Sequence, residues 1–374
     1  MAVLARSMGI KSLQENISCS IKRQSGICRM ALVAQQQVRF FSGDATSSQF
    51  ASSKLKKAKA SLHLGEMMRS KGPREDVKVL PRDAALLRLR VDSIVGMTDT
   101  EIDVFGWMMN QYGAVVLAPS KDPENGLASY QMLDRLLGAP VSHDQMNEHG
   151  VVEINPANPT SVNVANPRKP HLPHTDDAYT EQPARFITLQ CREAAPSGGG
   201  ESVLVSGVEL LAALNSEELR ALMRPGMVTM GRRPAADGSW LKCSSIPMFW
   251  VNQESGWLQL RWRCNDACVQ DVNQEAESAY KRMDEVARGE VHQLLVSLAP
   301  KEILVVDNRA IAHGRRSFDS DEPRVMWRRN YYGDGELENM LTVGMCAAYS
   351  SLFEACSSVF DPLELPSLPN TALA

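Results

Sequence analysis

Residues 99–113, DTEIDVFGWMMNQYG, carry apolar side chains at helical spacing. Their acids lie early and a glycine closes the run, as helix ends prefer. GAVVLAPS, directly behind, predicts a short buried strand. From residue 185 the period shortens to two. RFITLQCREA and ESVLVSG predict strands, with SGGGE as the turn between them. SGVELLAALNSEELRALMR predicts helix, broken at Asn215 and Ser216. NSEE there reads as a fresh start, since Asn or Ser caps and acids follow. WLQLRWRC (257–264) alternates as a strand, and residues 273–298 form the longest helical pattern. EILVVDNRAIAHGR and RVMWRRNYYG are again strand-like. No repeat recurs and no glycine-rich phosphate loop follows a strand. GGGE at 198–201 lies in a turn, a poor dinucleotide signal. The pattern predicts a mainly β domain with flanking helices, an antiparallel double sheet of jelly-roll type.

The 374 residues allow one large domain or two smaller ones. The packed domain is expected over 77–340. Residues 42–76, rich in Ser, Lys and Ala, read as a basic linker, and 341–374 as a C-terminal tail ending in a Pro-rich stretch. Residues 1–41 hold six basic side chains, one acid and frequent serine, the composition of an organelle transit peptide. Arg39 stands three residues before Ser42, which resembles a mitochondrial processing site; a chloroplast address is the alternative. Without 1–41 the formal charge moves from −4 to −9. Nothing in this balance favours nucleic acid, and no apolar run is long enough to span a bilayer. The expected partner is a small molecule, with homo-oligomerisation left open. The eight cysteines form no CxxC and read as reduced, mostly buried residues.

The candidate chemistry lies in PHLPHTDDAY (170–179). In an extended chain residues two apart share a face, so His174 and Asp176 project together while Thr175 points away. No other histidine has a carboxylate two residues on. His171 is expected on the opposite face, because Pro170 and Pro173 preclude a helix, and Asp177 to be a solvated or capping acid. Two histidines and one carboxylate on one octahedral face form the site of non-haem Fe(II) oxygenases. His313, ending a strand-like run, is the candidate third ligand. Arg324 and Arg328, four apart, share a strand face and can grip a dicarboxylate.

HTD at 174–176, PSGGGES at 196–202, DNRAIAHGR at 307–315 and RVMWRR at 324–329 resemble the TauD/TfdA family of Fe(II)- and 2-oxoglutarate-dependent dioxygenases, which takes in γ-butyrobetaine hydroxylase. QYGAVVLAP and LLGAPVSH extend the likeness, which covers roughly 80–332. The resemblance implies a double-stranded β-helix, a cupin-like jelly roll. It implies iron ligands at His174, Asp176 and His313. It places 2-oxoglutarate on Arg324 and Ser202, where the family more often has threonine, with Arg328 near the metal-bound carboxylate or the substrate. O2 is the further reactant, and succinate and CO2 are released. Asp176 is present, so hydroxylation-type chemistry is favoured over halogenation; desaturation and cyclisation stay open.

Substrate contacts are expected from Asn163, Arg168, Tyr179, Arg261 and Arg263, with Trp250 a further candidate; the arginines favour an anionic or amino-acid-like molecule. A carnitine-pathway hydroxylase is an alternative, with Trp250, Trp257, Trp262, Trp327 and Tyr331 available for a cation cage. Those enzymes carry a zinc domain whose Cys/His cluster is missing here. A catalytically silent jelly-roll binding protein is the alternative of another class.

Overall fold

The computed structural model describes residues 78–121, 126–143, 145–156, 170–231, 243–252, 257–263, 268–319 and 322–345. The expected transit segment, the linker and all but the first five residues of the expected tail lie outside the described residues.

Helix α1 (Asp99–Tyr112) forms where the pattern predicts it. Thr98 and Glu101 make a reciprocal capping box, and Gly113 closes the helix in the left-handed conformation at φ 71°. β1 (Arg88–Val91) and β2 (Ala114–Pro119) flank it, and α2 (Leu127–Leu137) follows. Next come the strands β3 (Val152–Ile154), β4 (His171–His174), β5 (Phe186–Glu193) and β6 (Ser202–Ser206). The helical run then breaks as expected into α3 (Gly207–Ala212) and α4 (Ser216–Leu222), because Asn215 caps the second helix in its own box with Glu218. β7 (Val228–Gly231), β8 (Cys243–Ser244), β9 (Phe249–Val251), β10 (Leu258–Leu260) and β11 (Val269–Val272) build two small sheets. Helix α5 (Gln274–Arg288) leads to β12 (Leu294–Val296), β13 (Ile303–Asp307), β14 (Ile311–Arg315) and β15 (Val325–Tyr331).

Two expected elements are shorter than their patterns. The strand at 257–264 is regular only over Leu258–Leu260, because Arg261 turns its side chain into a cluster of backbone carbonyls. The helix at 273–298 stops at Arg288. Gly289 and a 3-10 turn follow, and Leu294–Val296 instead pair with β6. Likewise EILVVDNRAIAHGR is two strands, β13 and β14, divided by a turn at DNRA.

The major sheet has the order β1-β2-β13-β5-β15-β3, and a four-stranded sheet has the order β12-β6-β14-β4. Only β1 and β2 pair in parallel among the described strands. Alternation along β2 and β13 sends Val116, Leu304 and Val306 into one core with Leu204, Val205 and Ile311 of the second sheet. Val115, Leu117, Ile303 and Val305 enter another core with Phe105, Met109 and Leu133 of α1 and α2. β2 and β13 are thus apolar on both faces and read as continuous hydrophobic runs. This is the double-sheet jelly roll with flanking helices that the pattern predicts. No helix among the described residues is long and apolar enough to cross a membrane.

Candidate metal and co-substrate site

His174 ends β4 and lies directly opposite His313 on β14. Past the strand, Thr175 turns away as expected. Its N–H donates to the Trp262 carbonyl at 2.8 Å and its Oγ1 accepts from the Trp262 N–H at 2.9 Å. Asp176 therefore returns to the side of His174. His174 Nε2 is 3.3 Å and His313 Nε2 3.8 Å from Asp176 Oδ1. The three ligand atoms lie within 4.8 Å of one another, and all three side chains are buried.

The protonation states suit a cation. His174 Nδ1 lies 2.9 Å from the Leu172 carbonyl and donates to it, which leaves the Nε2 lone pair facing His313 and Asp176. Burial, then Arg263, lowers the His174 pKa; burial, then His174, holds His313 well below the ordinary imidazole range. Both rings are neutral at neutral pH, as ligation needs. Burial alone raises the Asp176 pKa, but Arg328 and the histidines outweigh it, so the carboxyl is held well below its usual range. Arg328 Nη1 sits 3.1 Å from Asp176 Oδ2, which also accepts from Asn330 Nδ2 at 3.1 Å. Oδ2 is thus committed to the protein, while Oδ1 faces the imidazoles. Two neutral nitrogens and one carboxylate oxygen form the donor set of a non-haem iron site.

Asn308 clamps this arrangement from the DNRA turn. Its Oδ1 accepts from the Asp176 N–H at 2.7 Å, and its Nδ2 donates to the carbonyls of Asp176 (3.0 Å) and Ala184 (2.9 Å). The flanking residues anchor the turn. Asp307 pairs with Lys78 and accepts from Gly344 N–H at 2.9 Å, and Arg309 donates to Gln259 Oε1 at 2.7 Å. Asn308→Asp would set an oxygen against two carbonyls. The expected cost is about 1–3 kcal/mol for each stranded group, with metal affinity lowered by about 10–100-fold. Urea unfolding and metal titration check this, and unchanged values in both would refute the clamp.

Some neighbours differ from expectation. His171 does not face away, since its ring centroid is 4.2 Å from that of His174. The cause is a bulge: His171–His174 spans three steps on β4 against two from His313 to Arg315 on β14, so the face parity resets. Gly314 permits it, because a Cβ there would lie 2.4 Å from the His171 carbonyl oxygen. Asp177 is not a solvated acid. It sits at φ 58°, and burial, then Asp176, raises its pKa.

A cavity beside the triad is lined by His171, Ser202, Arg315, Arg324 and Arg328, with Ile154, Leu189 and Met326 on its apolar side. Ser202 is buried on β6, and Arg324 Nη2 donates to the Gly200 carbonyl at 2.8 Å. Arg324 and Arg328 both reach the cavity but do not form one clamp, because Arg328 is paired to Asp176.

Among the expected substrate residues, Asn163 and Arg168 lie outside the described residues. Tyr179 Oη donates to Asp177 Oδ1 at 3.4 Å. Arg261 is fully buried, and its guanidinium donates to the carbonyls of Pro247, Ala178, Ser244, Val228 and Ile246, so it is a structural hub with no face toward a substrate. Arg263 is paired across the chain with His174 and is 9% exposed, and its Nε has no hydrogen-bond partner among the described residues. The candidate cage aromatics are dispersed. Trp262 packs on Tyr280 at 5.2 Å, Trp327 carries Arg192 at 4.4 Å, and Trp250 faces Arg309 at 5.8 Å. Asn330, bonded to Asp176, and Arg315, lining the cavity, also stand here, and no ligand spacing marks either of them.

Residues 79–329 match the family described as taurine catabolism dioxygenase TauD, TfdA family. No curated protein matches significantly. Solved structures with a similar chain include an asparagine oxygenase in complex with Fe(II), 2S,3S-3-hydroxyasparagine and succinate (17% identity, TM-score 0.48, 66% of this chain and 93% of that one). Another is the non-heme iron oxygenase OrfP in complex with Fe, succinate and (3S)-hydroxy-L-Arg (17%, 0.48, 64% and 82%). A third is a taurine dioxygenase from Burkholderia xenovorans (18%, 0.48, 69% and 92%). With HTD, GGES, DNRAIAHGR and the strand arginines in order across the matched residues, the chain belongs to the TauD/TfdA family of Fe(II)- and 2-oxoglutarate-dependent dioxygenases.

Proposed function

We propose that this protein oxidises a C–H bond of a small anionic or amino-acid-like molecule. In this reading His174, Asp176 and His313 hold Fe(II), and Ser202, Arg324 and Arg328 serve 2-oxoglutarate. The observation that carries it is the convergence of two neutral imidazoles and one ionised carboxylate beside a cavity lined by three arginines. Iron held there would supply the oxidising power, with O2 as oxidant and 2-oxoglutarate as the co-substrate converted to succinate and CO2.

The chain's own residues set the conditions. Asp176 supplies one negative charge to the metal and is kept ionised by Arg328. His174 is fixed in one tautomer by the Leu172 carbonyl. Burial of the triad keeps bulk water off the reacting centre. The three arginines that line the cavity support an anionic group on the molecules it takes. The basic segment 1–41 supports a mitochondrial address, which imaging of a fluorescent fusion tests; a diffuse signal would sink it.

Purified protein loaded with Fe(II) and 2-oxoglutarate without O2 is expected to show a visible metal-to-ligand charge-transfer band, and to form succinate in air. Absence of both signals would sink the enzyme reading and favour a binding protein. Substrates that stimulate succinate release identify the class. Product mass then reports the outcome: one oxygen gained means hydroxylation, and two hydrogens lost means desaturation or cyclisation.

A further inference from the structure

Arg315 lines the cavity with Arg324 and Arg328 and has been given no role so far. It closes β14, where residues two apart share a face, so it projects with His313. Its partner across the strands is Ser202, just as the partner of His313 is Leu204. Ser202, His313, Arg315 and Arg324 all line the same cavity.

Phe318 joins the two arginines. The Arg315 Cζ lies 5.1 Å and the Arg324 Cζ 5.2 Å from its ring centroid. Both are within cation–π range. Both arginines are only 8% exposed. The glycine turn is shaped to this group. A Cβ on Gly200 would come within 2.7 Å of Arg324 Nε, and one on Gly199 within 3.3 Å of Phe318 Cβ. The unusual run SGGGE is therefore the wall against which Phe318 and Arg324 are packed.

Two guanidiniums share this poorly solvated place. Both side chains are guanidiniums, which are charged at neutral pH. Two like charges side by side favour a bound anion, and Arg315 Nε is steadied by the Arg316 carbonyl at 3.3 Å. A 2-oxo acid held at the triad through its keto end leaves its distal carboxylate for the remainder of the cavity.

We propose that Arg315 is a second guanidinium for the distal carboxylate of 2-oxoglutarate, acting with Arg324 and Ser202, with Phe318 as the spacer between the two charges. The proposal rests on the co-substrate reading above.

Calorimetric titration of the Mn(II)-loaded protein without O2 tests it with two ligands. 2-Oxoglutarate has the distal carboxylate and 2-oxobutanoate lacks it. Arg315→Met is expected to weaken 2-oxoglutarate by about 10- to 100-fold, as loss of a charge-assisted hydrogen bond implies. It should leave 2-oxobutanoate unchanged, and Arg315→Lys should recover part of the loss. Equal 2-oxoglutarate affinity in wild type and Arg315→Met overturns the proposal. So does equal weakening of both ligands, which marks a structural role. Should Arg315→Met fail to fold, Phe318→Leu, which removes the spacer but neither charge, must still narrow the preference for 2-oxoglutarate over 2-oxobutanoate; no narrowing overturns it too. A wild type that binds neither ligand overturns the co-substrate reading instead.

Discussion

Asp176→Ala is expected to abolish metal binding and, with it, succinate formation. The loss should exceed the roughly 10–100-fold that removal of a supporting partner costs, because the variant loses a ligand and the donor set's negative charge. The two imidazoles that remain are neutral and buried. Stability should fall as well. Asp176 Oδ2 is the partner of Arg328 Nη1 and of Asn330 Nδ2, and the Arg328 side chain is only 12% exposed. Breaking a buried pair from one side strands the other charge, at about 3–5 kcal/mol. Asp176→Asn separates the two effects. It keeps the volume and one oxygen but no charge, so it should lose metal affinity with a smaller loss of stability. Metal titration and urea unfolding, run on the wild type and both variants, resolve the two. Full metal binding and turnover in Asp176→Ala would remove the residue from the ligand set.

The parts of the site legible in the sequence are those fixed by local periodicity. The pairing of His174 with Asp176 follows from a two-residue repeat that Thr175 confirms by turning away. His171 shows where that logic ends. Its side is set by a bulge opposite Gly314, a contact between segments about 140 residues apart, and no pattern within PHLPHTDD contains it. Asp177 fails in the same way, because a positive φ breaks the alternation. Helix α5 stops at Gly289 although apolar spacing continues, because pairing with β6 claims Leu294–Val296. DNRAIAHGR was legible as a motif but not as a device. Its spacing does not reveal that Asn308 holds both the N–H and the carbonyl of Asp176.

Arg261 is the sharpest divergence from the sequence reading, and it carries the largest expected effect on stability. Alternation in WLQLRWRC sets it beside Arg263 as a candidate for an anionic substrate. The structure surrounds it with carbonyls instead. Nε donates to Pro247 at 3.1 Å, Nη1 to Ala178 at 2.8 Å and Ser244 at 3.1 Å, and Nη2 to Val228 at 2.7 Å and to Ile246. A guanidinium offers five N–H groups, and all five are spent on carbonyls from scattered segments. Burial pushes its pKa down to about 9, the mark of a cation kept dry. Arg261→Met strands all of these carbonyls at about 1–3 kcal/mol each. That total rivals the ~5–15 kcal/mol by which whole domains are stable, so the variant is expected not to fold. Arg261→Lys retains the charge but only three donors, and is expected to fold with a loss of about 2–5 kcal/mol. Its KM should be unchanged in the folded fraction. Urea unfolding with steady-state kinetics below the transition decides between the two roles. A lysine variant of wild-type stability with a raised substrate KM would return Arg261 to the substrate site.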